Sequence, residues 1–140
     1  MLRQIAPQYI DSGKVKVVYH NFAVLGQEST WAAEAADCAG DQGKFWDYAT
    51  YLLENQAGEN QGAFTKDKLK QFARTLKIAD TATFDQCLDS DKYLASVQGE
   101  VGQGQAQGVR ATPTFFIAGQ KYEGMIPADQ LTKLLDSLTK

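Results

Sequence analysis

The chain changes its hydrophobic period several times, and each change marks an element. Residues 1–12 (MLRQIAPQYIDS) place Leu2, Ile5, Tyr9 and Ile10 on one side of a helix, and Gly13 is a natural stop because it accepts left-handed backbone. KVKVVY (14–19) alternates lysine with valine before two apolar residues, which predicts a short strand at or near a sheet edge. Four helical stretches follow. From Gln27 to Ala39, Trp31, Ala35, Cys38 and Ala39 share a face; from Phe45 to Asn55, Phe45, Tyr48, Ala49, Leu52 and Leu53 form a wide one. Thr65 is placed to cap a helix that repeats Leu69, Phe72, Ala73 and Leu76, and a shorter stretch around Thr83–Leu88 gathers Phe84, Cys87 and Leu88.

From about Asp91 a longer helix turns Tyr93, Leu94, Val97 and Val101 inward, weakened by Gly99, Gly102 and Gly104 at roughly 1 kcal/mol each relative to alanine, and ends near Gly108. PTFFIA (113–118) and QKYEG (120–124) flank Gly119 and predict a hairpin. A last helix from near Pro127 buries Leu131, Leu134, Leu135 and Leu138. A strand separated by helices from a later hairpin predicts an α/β domain with a mixed sheet, and the helical block from about 26 to 88 reads as an insertion on one side of it.

Composition adds boundaries to this picture. A chain of 140 residues, 44% of them hydrophobic, supports one domain (1–140) with a real core. Its 14 basic and 17 acidic residues are spread along the chain and leave a net charge of −3, which argues against a nucleic-acid surface. No apolar run approaches the ~20 residues of a membrane-spanning helix, and the N-terminal MLRQIAPQYIDSGK has no signal-peptide core.

Candidate chemistry is sparse. His20 is the only histidine and the two cysteines are remote from it, so no metal site is assigned. No phosphate-binding glycine loop, no Ser-His-Asp set and no cofactor signature is present, and Phe45, Trp46, Tyr48 and Tyr51 read as core. Cys38 and Cys87 both lie on apolar helix faces. Free buried thiols are one reading of them; a catalytic pair is disfavoured because apolar surroundings raise thiol pKa and block access. Thr112-Pro113 stands at the mouth of a predicted strand, and taken alone it is a trans proline opening that strand.

Four segments change the weight of these residues: GKVKVVYHNFAVLG (13–26), AAEAADCAGDQGKFWDY (32–48), FDQCLDS (84–90) and GVRATPTFFIAG (108–119). Together they make the whole chain resemble the DsbA-like branch of the thioredoxin-fold thiol oxidoreductases. The resemblance implies a helical domain (26–88) inserted in a thioredoxin-like part (1–25 and 89–140). It implies that Pro113 follows a cis bond facing the redox cysteines, and that Thr112 pairs its backbone with an extended substrate peptide. Ala111 stands where the family has glycine. A structural disulfide between Cys38 and Cys87 is likewise implied, beside the free-thiol reading.

The family's Cys-x-x-Cys is absent from the chain, and aligning Met1 inside the family's first helix leaves out both that motif and the first strand. No catalytic residue is therefore assigned. The resemblance implies disulfide exchange with cysteines of folding or exported proteins in an extracytoplasmic compartment, with an unidentified redox-recycling partner. A redox-inactive, thioredoxin-like peptide-binding module is the alternative, and a glutathione-using transferase fits less well. In the family the first strand lies between the strands at 14–19 and 114–118, and three outcomes follow from its absence: direct pairing of those strands, self-association that fills the gap with a second chain, or marginal stability.

Overall fold

The computed structural model describes residues 2–140, with side chains from Arg3 onward, so the apolar role expected of Leu2 and everything at Met1 lie outside the described residues. Two units divide the chain: one takes the described residues up to His20 together with Gln107–Lys140, the other Asn21–Ala106.

In the first unit, α1 (Leu2–Ile5) runs into a π-helical turn at Ala6–Ile10. Pro7 has no N–H to bond the preceding turn, and the Asp11 N–H reaches back five residues to the Ala6 carbonyl at 2.9 Å. Gly13 ends the segment in left-handed backbone, φ 76°. The turn buries Ile5 and Tyr9 against Leu131 and Leu135 of α7 (Ala128–Leu138), with Val15, Ile117 and Ile126 around them. Tyr9 donates its hydroxyl to Asp136 at 2.7 Å, so the ring is buried while its polar tip stays paired.

A hairpin completes this unit. β1 (Thr114–Ile117) pairs antiparallel with β2 (Gln120–Glu123), and Ala118 and Gly119 between them both have positive φ, 47° and 81°. Two left-handed residues give the turn a twist that matches the strands, which is why glycine follows alanine there. The last helix starts later than the sequence suggests, with Pro127 as its N-cap, and Leu138 in its final turn is exposed rather than buried.

The strand expected at 14–19 is not formed. Val15 and Val17 are half-buried while Lys14, Lys16 and Val18 are exposed, so the alternation is real, but no ladder partner lies beside the segment among the described residues. Side-chain alternation lines up one face of a strand; only a neighbouring backbone makes it a sheet. Direct pairing of 14–19 with β1, one of the outcomes considered above, is thereby ruled out in this structure.

The second unit is helical. α2 (Gln27–Gly40) packs on α3 (Phe45–Glu54), α4 (Lys66–Thr75), α5 (Thr81–Asp89) and α6 (Leu94–Ala106). Ala32, Ala33, Ala35, Ala36 and Ala39 are all buried, and their small side chains let several helices approach α2 at once. Tyr48, Leu69, Phe84 and Leu88, each at 0% exposure, fill the space around them, and burial of each apolar side chain contributes about 1.5–3 kcal/mol. Thr65 caps α4 by accepting from the Lys68 N–H, and Asp80 caps α5 by accepting from the Thr83 N–H at 2.9 Å. The apolar faces are narrower than their spacing suggests: Trp46 and Leu53 are exposed.

A clamp joins the 55–64 loop to the start of α2. Asn60 accepts from the Glu28 N–H at 3.3 Å and donates to the Leu25 carbonyl at 2.5 Å. The Glu28 carboxylate accepts from the Gly62 and Phe64 N–H groups at 2.7 and 2.9 Å. Gly26, at φ 100°, sits so close to Asn60 that any Cβ would collide with that side chain. No described helix is long and apolar enough to cross a membrane.

Candidate functional site: a strand edge, a buried disulfide and the carboxylates around one helix

Thr112 and Pro113 lie in the first unit, immediately before β1, and the peptide bond between them is cis. Thr112 is exposed and Pro113 half-buried. The Pro113 carbonyl accepts from the Gly124 N–H at 2.8 Å, which extends the ladder one step past β1. The Thr114 hydroxyl returns to the Ala111 carbonyl at 2.7 Å and holds the loop shut on itself.

Register decides which backbone groups remain available. Ile117 faces Gln120 across the two-residue turn and Phe115 faces Tyr122, in phase with Pro113 and Gly124. In an antiparallel pair every second residue directs its N–H and C=O to the partner, so Pro113, Phe115 and Ile117 serve β2. Thr114 and Phe116 direct theirs to the opposite edge, where no described strand lies. The two edges of the hairpin differ in chemistry. Lys121 and Glu123 form an ion pair on β2 at 2.9 Å, while β1 is TFFI, with Phe116 exposed. Charge on an edge discourages strand addition, and its absence leaves the β1 edge open to an extended chain.

Cys38 of α2 and Cys87 of α5 lie in the second unit and are joined as a disulfide, with exposures of 1% and 7%. No described cysteine is free, and a bonded, covered pair offers no thiolate to a polypeptide. One Asp41 oxygen lies 4.0 Å from the Cys87 sulfur, but a disulfide sulfur carries no proton to donate. Asp41 is instead held by Lys92 at 2.6 Å and by the Tyr93 hydroxyl; burial pushes its carboxyl up, and these two hydrogen bonds outweigh that and hold it below the usual range.

Carboxylates on α2 escaped the sequence reading. Asp37 accepts from the Asn21 side-chain amide at 3.1 Å, and the Asn21 N–H donates to Glu100 at 3.0 Å, so one buried asparagine joins two acids. Burial first, and the nearby Glu100 second, raise Asp37 to about 6, against the Asn21 hydrogen bond that lowers it. Glu34, one turn earlier, is 1% exposed, and neither of its oxygens accepts a hydrogen bond from any described residue. Burial and then the Asp91 carboxylate raise its pKa, opposed by the Lys66 ammonium. The available signal was local: AAEAADCA (32–39) carries two acids in an otherwise small, apolar run between Trp31 and Gly40. No group of three or more metal-ligating side chains occurs among the described residues.

The family described as thioredoxin matches residues 1–137. The chain is 26% identical over 122 residues to Probable disulfide bond formation protein D of Bacillus cereus, a match covering 85% of this chain and 56% of that protein. It is 30% identical over 106 residues to an Na(+)/H(+) antiporter NhaA of Herminiimonas arsenicoxydans, covering 76% of this chain and 16% of the antiporter. It therefore spans about half the length of the first relative and about a sixth of the second. The crystal structure of oxidised BdbD from Bacillus subtilis shares its fold with a TM-score of 0.85, over 98% of this chain and 75% of that one, at 23% identity. The chain shares its fold with BdbD, and with a family match over nearly its whole length it belongs to the thioredoxin family.

Proposed function

We propose that this chain is the substrate-presenting part of a DsbA-like thiol-disulfide oxidoreductase that acts on cysteines of folding or exported proteins, with its redox pair outside these 140 residues. The observation that carries this reading is the open, uncharged edge of β1 beginning at Thr112-Pro113. A polypeptide laid along it gains main-chain hydrogen bonds from Thr114 and Phe116 and is held extended, with its cysteine positioned by backbone rather than by side chain.

In the complete reaction a substrate thiolate attacks the enzyme disulfide, forming a mixed disulfide and releasing one enzyme thiolate. A second substrate thiolate then displaces the enzyme sulfur, so the substrate leaves oxidised and the enzyme dithiol reduced. Cys38 and Cys87 take no part in this. They are buried, and their bond fastens α2 to α5 as a structural disulfide. That bond also favours an extracytoplasmic setting, where thiols are not kept reduced. The same open edge supports self-association, a second copy supplying the missing neighbour strand.

The second reading, a redox-inactive peptide-binding module, is favoured by the lack of any free described cysteine. Both readings expect binding of a cysteine-free extended peptide, weakened by Pro113→Ala, and insulin reduction by the chain at the background rate. Turnover that disappears in a folded Cys38→Ser variant would overturn both. The coding sequence upstream of the Met1 codon separates them: an in-frame Cys-x-x-Cys supports the oxidoreductase, and a stop codon supports the binding module.

A further inference from the structure

The two sulfurs of the second unit's disulfide are not equivalent. Both cysteines belong to the core cluster around α2, but Cys38 is 1% exposed and Cys87 is 7% exposed. Only Cys87 has a charged group recorded against its sulfur, Asp41 Oδ2 at 4.0 Å. The surroundings of that sulfur are fixed by hydrogen bonds. The Lys92 N–H and the Ser90 hydroxyl both donate to the Cys87 carbonyl at 3.2 Å, so the turn after α5 folds back onto Cys87. The Lys92 ammonium donates to the same Asp41 oxygen at 2.6 Å, and the Tyr93 hydroxyl donates to the other. Asp41 and Lys92 are both partly exposed, so this pair stands where a small molecule in solution can meet it.

Disulfide exchange begins with a thiolate, an anion, attacking one sulfur and expelling the other. At Cys38 the attacker would have to pass through the core that Ala35, Ala39, Phe84 and Leu88 fill. At Cys87 it arrives beside the Asp41 carboxylate, a like charge in contact with the sulfur under attack. A positive charge elsewhere on the incoming thiol offsets that repulsion, and a negative one adds to it. The sulfur expelled is then Cys38, whose apolar surroundings make it a poor leaving group and a strong nucleophile for reclosing the bond. Opening at Cys87 is thus slow and reversible.

We propose that the Cys87 sulfur is an exchange site for low-molecular-weight thiols, and that the Asp41 carboxylate makes it select thiols carrying an ammonium group over thiols carrying a carboxylate. In the first step the thiolate sulfur bonds to Cys87 Sγ as the Cys38–Cys87 bond breaks. The electron pair leaves on Cys38 Sγ, which takes a proton from water. Cys87 is then in mixed disulfide with the small thiol. Attack by Cys38 restores the original bond and returns the thiol; attack by a second small thiolate releases Cys87 as a thiolate, with the two small thiols leaving as their own disulfide and both cysteines reduced. This exchange is separate from the oxidation of polypeptides proposed for the β1 edge.

The test uses the full oxidised chain at neutral pH and low salt, with cysteamine as the cationic thiol and mercaptoacetate as the anionic one. Loss of the disulfide is followed by acid quenching and mass spectrometry. Each rate is divided by the rate of the same thiol on an unstructured, uncharged disulfide peptide, which cancels intrinsic reactivity. The normalised rate with cysteamine should exceed that with mercaptoacetate by about threefold or more, a ratio that falls as salt is added, and the quenched adduct should map to Cys87. Asp41→Asn leaves the Lys92 ammonium beside the sulfur and should reverse the preference. Lys92→Met leaves the carboxylate uncompensated and should widen it; this change to a half-exposed side chain keeps the test open where Asp41→Asn disturbs folding. Tyr93→Phe removes a hydrogen bond from Asp41, keeps both charges and should leave the preference unchanged. Equal normalised rates for the two thiols in the wild-type chain, an adduct on Cys38, a preference altered as much by Tyr93→Phe as by Asp41→Asn, or rates that do not rise with thiol concentration each overturn the proposal. None of these results bears on the insulin and Pro113→Ala experiments.

Discussion

Asp37 makes the most direct statement about pH. Its carboxyl is raised from 3.8 to about 6 by burial and by Glu100, so the folded chain holds this proton more tightly than the unfolded chain does. Stability from this group is complete below pH 3.8 and is lost as pH rises through about 6. Asp37→Asn keeps an oxygen for the Asn21 amide and removes the charge. We expect it to stabilise the chain by about 1–2 kcal/mol at pH 7.5, a discounted share of the full shift because the group is only half-buried, and to have little effect near pH 4. Urea unfolding at the two pH values measures both; equal stability of the two proteins at pH 7.5 would show that the acid is relaxed by solvent. At the same scale, Gly26→Ala combines a positive φ with a collision against Asn60. It should cost more than 1 kcal/mol and loosen the 55–64 loop, seen as faster amide exchange at Gly62 and Phe64, the residues that Glu28 holds.

At the scale of elements, the disulfide ties α2 to α5 across 49 positions. Closing a loop of that length restricts the unfolded chain by about 4 kcal/mol in the chain-entropy description. Cys38→Ala with Cys87→Ala should therefore lower stability by roughly 2–4 kcal/mol while leaving the helical far-ultraviolet spectrum in place, because Phe84, Leu88 and Leu69 still fill the core. A double variant as stable as the parent would show that the bond adds nothing to the packing around it. Helix positions were largely legible in the sequence: Thr65 capping α4, the stop at Gly13, the turn at Ala118-Gly119 and the buried rows Leu69–Ala73 and Phe84–Cys87–Leu88 are local features that residue type and spacing encode. Where spacing overreached, as at Leu53, Trp46 and Leu138, the helix face was wider than the surface available to cover it.

Across the whole molecule the two units differ in what holds them. The Asn21–Ala106 unit is a helical core around α2, while the other rests on one hairpin, α1 with its π turn, and α7. Residues 14–19 have no ladder, so their amides should exchange far faster than those of α2, α4 and α5. Protection of 14–19 equal to those helices, in a proven monomer, would contradict the absence of a strand there. Light scattering addresses self-association directly: a dimer whose 14–19 or 114–117 amides become protected supports filling of the open edge by a second copy.

The sequence alone determined the elements whose causes are local, the α/β class, the thioredoxin-like resemblance and the residues Thr112, Pro113, Cys38 and Cys87 as the ones to watch. Local rules reach that far because caps, turns and periodic faces depend on neighbours within a few positions. Only the tertiary structure decided that 14–19 stays unpaired, that the cysteines are bonded, and that Thr114 and Phe116 turn their backbone groups to an open edge. It alone showed that Glu34 is enclosed without a donor. Pairing, burial and the satisfaction of a polar group are properties of what lies across space from a residue, and no run of letters around it specifies that neighbour.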